Sequence, residues 1–425
     1  MQLSRFGRRF AGKTGVMDLM DDMGRALAGS DQKYMLGGGN PARIPEVEAV
    51  WRRRIGELLE TPGGIEGLLG NYDTPQGQPA FAEALSGLLR EEFGWDVGPE
   101  NIGVTNGSQT AFFLLLNMFS GPDQILFPLL PEYVGYADQG IDEDTFVACR
   151  PRVERIDDRT HKYRVDFDAV EARLAAAGRN GTPRIGAICV SRPTNPSGNV
   201  LTDGEVLRLD ELAKRYGIPL IIDNAYGMPF PHIVFEDLVE GPAQPIWNEN
   251  IILGMSLSKI GLPGARTGIV VASPEVITAL SRANAVVSLA NTMVGQRIVE
   301  PLFRDRSILD LARTKIAPFY RARSDAALAR LAEAFGTATP YSVHRVEGSI
   351  FLWLWIPDLP ISSHELYERL KKRNVIVVPG EYFFFGDPSL DSWDHTRQCM
   401  RINYGQPLED VATGIGIIAE EVRRL

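Results

Sequence analysis

The chain is poor in cysteine and histidine and has no long apolar run. Three cysteines, Cys149, Cys189 and Cys399, occur in 425 residues. They show no CxxC spacing and cannot all pair, so neither a disulfide framework nor a thiolate zinc site is expected. The five histidines are scattered and form no HExxH, so no metal is expected. No stretch approaches the ~20 apolar residues that cross a bilayer. The basic start, MQLSRFGRRFAGKTG, is not followed by an apolar run of signal-peptide length. The 44 basic side chains are outnumbered by 54 acidic ones and gather into no run, which argues against a nucleic-acid partner. Low-complexity linkers and internal repeats are also lacking. These absences leave a protein expected in a reducing cytoplasm, with no membrane and no nucleic-acid partner.

What is present is an ordinary globular composition, 44% apolar and 23% charged, enough for a large core. The length exceeds one average domain, so two or more packed units are expected. A Gly/Pro-rich loop, Gly37-Gly38-Gly39-Asn40-Pro41, closes the first stretch. Phe81, Leu85, Leu88 and Leu89 then follow helical spacing. From Ile102 to Ala272 short apolar runs alternate with amphipathic ones. The runs are Ile102–Val104, Ile125–Leu130, Ile185–Val190, Leu220–Ile222, Ile251–Met255 and Ile269–Ala272. Continuous apolar strands are buried on both faces, as in a parallel sheet covered by helices. Asp203–Tyr216 reads as a crossover helix stopped by Gly217. Past residue 295 a helix-rich stretch (307–335), a strand over Ser349–Ile356, a second over Val375–Val378 and a closing helix, Leu408–Leu425, suggest a smaller α+β unit.

Ligands bind outside the carboxyl ends of strands in open parallel sheets, so the residues just past each apolar run are the candidates for chemistry. Thr105-Asn106-Gly107-Ser108-Gln109 opens an apolar helix, a turn that offers backbone N–H groups to a phosphate. Tyr133 comes after the next run and can stack on a flat ring. Asn195, in a rigid loop with two prolines and a glycine, can donate to a ligand oxygen. Asp223, at the mouth of a buried strand, needs a positive partner. Lys259 lies just past an apolar strand, where partial desolvation makes an amine nucleophilic. Arg266, seven residues on, suits a phosphate. Singly, each has an ordinary reading as a helix cap, a core tyrosine, a turn or a surface cation. Together they meet the needs of pyridoxal phosphate: an aldehyde, a phosphate, a phenolic oxygen, a ring nitrogen and a flat ring.

At these residues the chain resembles the class I/II aminotransferases of PLP-dependent fold type I. The motifs run in order: NYDTPQG at 71–77, TNGSQ at 105–109, NPSGN at 195–199, DNAYG at 223–227, SLSKIGLPGAR at 256–266 and CMRINY at 399–404. The resemblance implies an α/β fold: a large domain with a mostly parallel seven-stranded sheet over residues 49–295, and a smaller α+β domain built from 1–48 and 296–425. It implies pyridoxal 5'-phosphate as the cofactor. Lys259 is then the lysine that bonds the cofactor aldehyde and moves the proton, Asp223 the partner of the ring nitrogen, and Tyr226 and Asn195 the pair on the phenolic oxygen. Tyr133 becomes the ring stacker, and Ser108, Gln109, Ser256 and Arg266 the phosphate cup. Arg401 becomes the carboxylate clamp, with Asn195 and the glycines Gly38 and Gly39 also at the substrate. Tyr72 resembles the tyrosine that reaches a neighbouring subunit's phosphate, which implies a homodimer with composite sites.

Further loops, MLGGGNPARIPE at 35–46 and EGSIFLWLW at 347–355, are similar to a branch of the family that handles small apolar amino acids. No motif frames a second substrate arginine; Arg297 is only a nominal candidate. The expected reaction is exchange of an amino group between valine or alanine and a 2-oxo acid, pyruvate or 3-methyl-2-oxobutanoate, in ping-pong order. The competing expectations are a β C–S lyase or a decarboxylase on the same cofactor, and a PLP-sensing regulator. The regulator would carry an N-terminal DNA-binding domain, yet the 70 residues before NYDTPQG show no helix-turn-helix pattern.

Overall fold

The apolar runs assemble into one seven-stranded sheet. The computed structural model describes residues 2–12, 17, 24 and 33–425; the rest of the 1–48 segment lies outside the described residues. The strands of this sheet are β1 (Ile102–Thr105), β2 (Gln124–Phe127), β3 (Phe146–Ala148), β4 (Ile185–Ser191), β5 (Leu220–Asp223), β6 (Ile251–Ser256) and β7 (Gly268–Val271). Their order is β1-β7-β6-β5-β4-β2-β3, and only β7 runs antiparallel to its neighbours. The carboxyl ends of the other six therefore open toward one edge. Two strands differ from expectation. The run Ile125–Leu130 leaves the ladder after Phe127, because Pro128 has no N–H to give it. β3 has three residues, too short for an apolar pattern to register.

Helices cover both faces. Pro79–Phe93 buries Phe81, Leu85, Leu88 and Leu89, the spacing read in the sequence. Asp203–Tyr216 begins with a capping box, Thr202 and Glu205 bonding each other's backbone, and ends on Gly217 in the left-handed region. Both belong to the core on one face of the sheet, with Val104, Val190, Ile222 and Leu253, while Ser108–Met118 and Pro274–Ser288 cover the other face, with Phe127, Cys189, Ile221, Ile252 and Val270.

A second, six-stranded sheet has the order Val378–Pro379, Cys399–Asn403, Phe351–Trp355, Ser342–His344, Thr160–Arg164, Arg152–Arg155. The last two strands form a hairpin from within the 49–295 stretch. Its outer strand, Arg152–Arg155, is exposed throughout and polar, so no periodicity marks it. The expected strand Val375–Val378 is divided. Val375–Ile376 pairs with Tyr34–Met35, while Val378–Pro379 joins Cys399–Asn403. The chain changes sheets at Val377, whose carbonyl packs against Gly37.

One buried ion pair links the hairpin to the rest. Lys162 and Glu347 are 1% and 0% exposed, and both carboxylate oxygens of Glu347 take bonds from the Lys162 ammonium. Glu347 also accepts from Val200 N at 2.9 Å, directly after the loop that carries Asn195. Burial lowers the Lys162 pKa and raises that of Glu347, each opposed by the partner's charge. Removing one partner strands the other charge in a dry site, so Glu347→Ala should lose about 3–5 kcal/mol of stability. The double variant Lys162→Met/Glu347→Leu should lie within about 2 kcal/mol of the wild type, because it leaves no unpaired charge. Urea unfolding of the three proteins checks this, and a Glu347→Ala protein as stable as wild type contradicts it.

Candidate active site

The carboxyl ends of β1, β4, β5 and β6 open into a cleft of about 620 Å³. Asp223 ends β5, opposite Ser191 at the end of β4. Its carboxylate accepts from the Tyr136 hydroxyl and, at 3.0 Å, from Ala225 N. Burial pushes its pKa up to about 6, against the pull of the Tyr136 bond, the Ala225 N–H and the Lys259 charge. Asp223 is therefore ionised at neutral pH, in a place that favours a cationic partner.

Lys259 stands on a short 3-10 turn, Ser258–Ile260, just past β6. Trp51 pins that turn by donating from its indole to Ile260 O at 2.9 Å. The ammonium donates to Gly39 O and lies 5.3 Å from the centre of the Tyr226 ring. Its outer face touches the cleft, but protein encloses the rest. That burial, with the nearby Arg401 charge, brings its pKa down to about 8 against the opposing pull of Asp223.

Arg401 projects from strand Cys399–Asn403 and is 3% exposed. It donates at 2.7 Å to Asn195 Oδ1 and at 2.7 Å to Gly37 O, and its guanidinium lies 4.1 Å from the Phe351 ring centre. Burial lowers its pKa to about 10, so it stays charged at neutral pH. Its Nε is buried with no hydrogen-bond partner. Next to it, Asn403 Nδ2 donates to Gly38 O at 2.6 Å. The glycine loop is thus held by its carbonyls, and Gly37 and Gly39 face the cleft while Gly38 is turned to Asn403.

At the opposite end Ser108 and Gln109 form the first turn of helix Ser108–Met118, which no side chain caps. Gly107 before it has φ +92°, and a Cβ there would lie 2.1 Å from Arg266 Nη2. Only glycine allows the guanidinium this close to the helix start. An arginine beside uncapped N–H groups is an anion site in its donor set. Ser256 borders the same end, its hydroxyl accepting from Ser258 N at 3.1 Å. Tyr133 and Tyr226 line the space between the two ends; burial raises both phenol pKa values, so both stay protonated.

Of the residues singled out from sequence, Lys259, Asp223, Tyr226, Asn195, Tyr133, Ser108, Gln109, Ser256, Arg266, Arg401 and Gly39 all border this cleft. Tyr72 does not: it is 82% exposed. Arg297 does not border it either, lying against Gly67 and Gln78. Among the described residues no group of three or more histidine, cysteine or acidic side chains could hold a metal ion. Sequence reasoning missed Tyr136, Glu132 and Ser191. Tyr136, one helical turn past Tyr133 in PEYVGY, carried a detectable signal; Glu132 and Ser191 carried none, because their partner relation is tertiary.

Comparison with known proteins gives the same outline. Residues 47–418 match aminotransferase class I and II. The valine–pyruvate aminotransferase of Escherichia coli (strain K12) is 45% identical over 100% of this chain and 99% of its own length. A solved structure from Psychrobacter arcticum 273-4 has a TM-score of 0.95 and 44% identity, covering 100% of this chain and 99% of that one. The crystal structure of valine–pyruvate aminotransferase AvtA from Salmonella typhimurium LT2 has a TM-score of 0.85 and 45% identity, covering 96% of this chain and 98% of its own. With the fold, the cleft and the match over most of its length in agreement, the chain belongs to the class I and II aminotransferases.

Proposed function

We propose that this protein exchanges an amino group between a small apolar amino acid, valine or alanine, and a 2-oxo acid such as pyruvate or 3-methyl-2-oxobutanoate, with pyridoxal 5'-phosphate as cofactor. The observation that carries the proposal is one cleft holding the Lys259 amine, the half-buried Asp223 carboxylate and the buried Arg401 cation. When bound, pyridoxal phosphate supplies an aldehyde that bonds amines and a ring that takes up the electron pair left at the α-carbon. The donor set fits it: Arg266, Ser108, Gln109 and Ser256 suit the phosphate, Asp223 the ring nitrogen, Tyr226 and Asn195 the phenolic oxygen, and Tyr133 the ring face.

The protein's own groups then have distinct tasks. Arg401 grips the α-carboxylate through its planar fork, and its unpartnered Nε offers one more donor. Once free, Lys259 Nζ takes the proton from the α-carbon as general base and returns it to the cofactor's aldehyde carbon as general acid. An amine brought down to about 8 can do both near neutral pH. Asp223, ionised above about 6, keeps a proton on whatever basic ring nitrogen faces it.

Apolar donors are favoured because the described cations lining the cleft are Lys259, Arg266 and Arg401, and each already has a task. A side-chain carboxylate would be buried unpaired, at a cost of about 1–3 kcal/mol or more. The same proposal divides the chain into a cofactor-binding unit over 49–295 and a flanking unit from 1–48 and 296–425. It takes the three cysteines, free and buried, as suited to a reducing cytoplasm. It also includes a homodimer. Asn284 and Asn291 both donate to Pro75 O, which sets exposed Val286, Val287 and Leu289 beside the loop of Tyr72. Such an apolar edge suits a partner subunit that receives Tyr72 at its own phosphate end.

Three outcomes test this reading. Borohydride reduction of the loaded protein, followed by peptide mapping, should label Lys259. Trapping by an added aldehyde should be slow at pH 7 and rise to a plateau above about pH 9, because only the unprotonated amine attacks and its pKa is about 8. A label on another lysine, or a flat profile, removes Lys259 from its role. In a donor panel, valine, alanine and 2-aminobutyrate should differ among themselves by no more than about 10–200-fold, and aspartate should be poor. Arg401→Lys should weaken all donors alike; aspartate or glutamate outperforming valine and alanine would overturn the substrate assignment. Finally, sedimentation should give a dimer, and mixing inactive Tyr72→Phe and Lys259→Ala proteins should restore activity. A fully active monomer contradicts the composite site.

A further inference from the structure

Glu132 is a carboxylic acid with no place in the tasks above; it is 0% exposed and lies behind Tyr133 and Ser191, which border the cleft. It comes after β2 and precedes Tyr133. Ser191 N donates to its Oε1 at 2.8 Å, the Ser191 hydroxyl to its Oε2 at 2.6 Å, and Tyr133 N to Oε2 at 3.2 Å. Its own N–H donates to Phe383 O at 3.0 Å, and the Phe383 ring lies 5.2 Å from the Arg401 guanidinium. One side chain thus ties the segment after β2 to the end of β4. Ser191 in turn is the register partner of Asp223, and Arg192 N donates to Asp223 O at 2.8 Å.

We propose that Glu132 is a positioning residue of the transamination site: its carboxyl group clamps Tyr133 and Ser191 so that the tyrosine ring and the Asp223 carboxylate keep a fixed separation around the cofactor ring. This rests on the proposed function and adds a residue to it. No apolar side chain can do the same work, because it would leave the N–H groups of Ser191 and Tyr133 and the Ser191 hydroxyl without acceptors in a dry site. A carboxyl offers two oxygens for three donors.

The charge around it supports the assignment. The titratable groups facing Glu132 are Asp223, Tyr136 and Cys189, all acids, and among the described residues no cation is paired with it. Burial, opposed by the bonds from Ser191 and Tyr133, pushes the Glu132 pKa up to about 8, while Asp223 stays near 6. At neutral pH Glu132 is therefore protonated and Asp223 ionised. The clamp adds no second negative charge beside the one that must face the ring. When protonated, Glu132 can turn its bond with the Ser191 hydroxyl around and keep accepting from both N–H groups.

The test compares wild type, Glu132→Gln and Glu132→Ala, each as the full chain with pyridoxal phosphate. The readouts are the cofactor dissociation constant, the visible circular dichroism of bound cofactor, and kcat and KM with valine. Glu132→Ala should bind the cofactor at least about tenfold more weakly, from donors left without acceptors. Its bound cofactor should show weaker visible dichroism, and kcat should fall while the KM for valine changes by less than about threefold. Glu132→Gln keeps an acceptor for Ser191 N and a donor to the Ser191 hydroxyl and loses only the longer bond from Tyr133 N, so it should recover most of the dichroism. A role confined to folding would lower the unfolding midpoint and leave the dichroism per bound cofactor unchanged, and that result overturns the proposal. If Glu132→Ala fails to fold, Ser191→Ala removes the hydroxyl partner alone, and unaltered dichroism and affinity there overturn it equally. A wild type that binds no pyridoxal phosphate removes the proposed function; a wild type that binds it beside an unaltered Glu132→Ala removes this inference alone.

Discussion

The cleft depends on a guanidinium that has been taken out of water. Arg401 is buried against two aromatic rings, and Asn195 and the Gly37 carbonyl accept from it in place of water. Removing a cation from water costs several kcal/mol unless acceptors replace the lost hydration. The acceptors come from positions 364 and 206 residues away along the chain. Satisfying one cation therefore brings together the N-terminal glycine loop, the loop after β4 and the second sheet. The same loop supplies the Gly39 carbonyl to Lys259 and the Gly38 carbonyl to Asn403, so three successive carbonyls each hold a side chain of the site.

Charge is distributed across the cleft by burial rather than by ion pairing. The carboxylates of Asp223 and Glu132 are raised, the Lys259 amine and the Arg401 guanidinium lowered, and in each case desolvation is the leading cause. Without a direct salt bridge, Lys259 and Asp223 remain available to other partners. The resulting order is an ionised Asp223, a charged Arg401 and an amine poised near neutrality. That order is what proton transfer at an α-carbon requires. The buried Lys162–Glu347 pair works differently: there the charges face each other and serve placement of the loop behind Asn195.

Much of this was legible from residues alone because the signals are local. A strand buried on both faces must be apolar, so the central strands of the large sheet announce themselves and point to the turns at their carboxyl ends. The helix Asp203–Tyr216 carries its own start and stop, a capping box and a glycine. Gly107 before Ser108 and the lysine after Met255-Ser256 are likewise turn chemistry readable within a few residues. Local signals failed where the partner is distant. The exposed strand Arg152–Arg155 has no apolar pattern, the Val375–Val378 run divides between two sheets, and Glu132 looks like any surface glutamate.

What the sequence alone determined is the set of chemical groups and the edge on which they gather, because parallel strands and their turns are dictated by short-range pattern. Tertiary structure alone decided their proton affinities and their pairing. Asp223 finds Tyr136, 87 residues away, and Arg401 finds Asn195 and Gly37. Glu132 comes to lie beside Ser191 and within reach of the Asp223 charge. These are consequences of desolvation and of long-range contact, and neither has any counterpart in the order of residues along the chain.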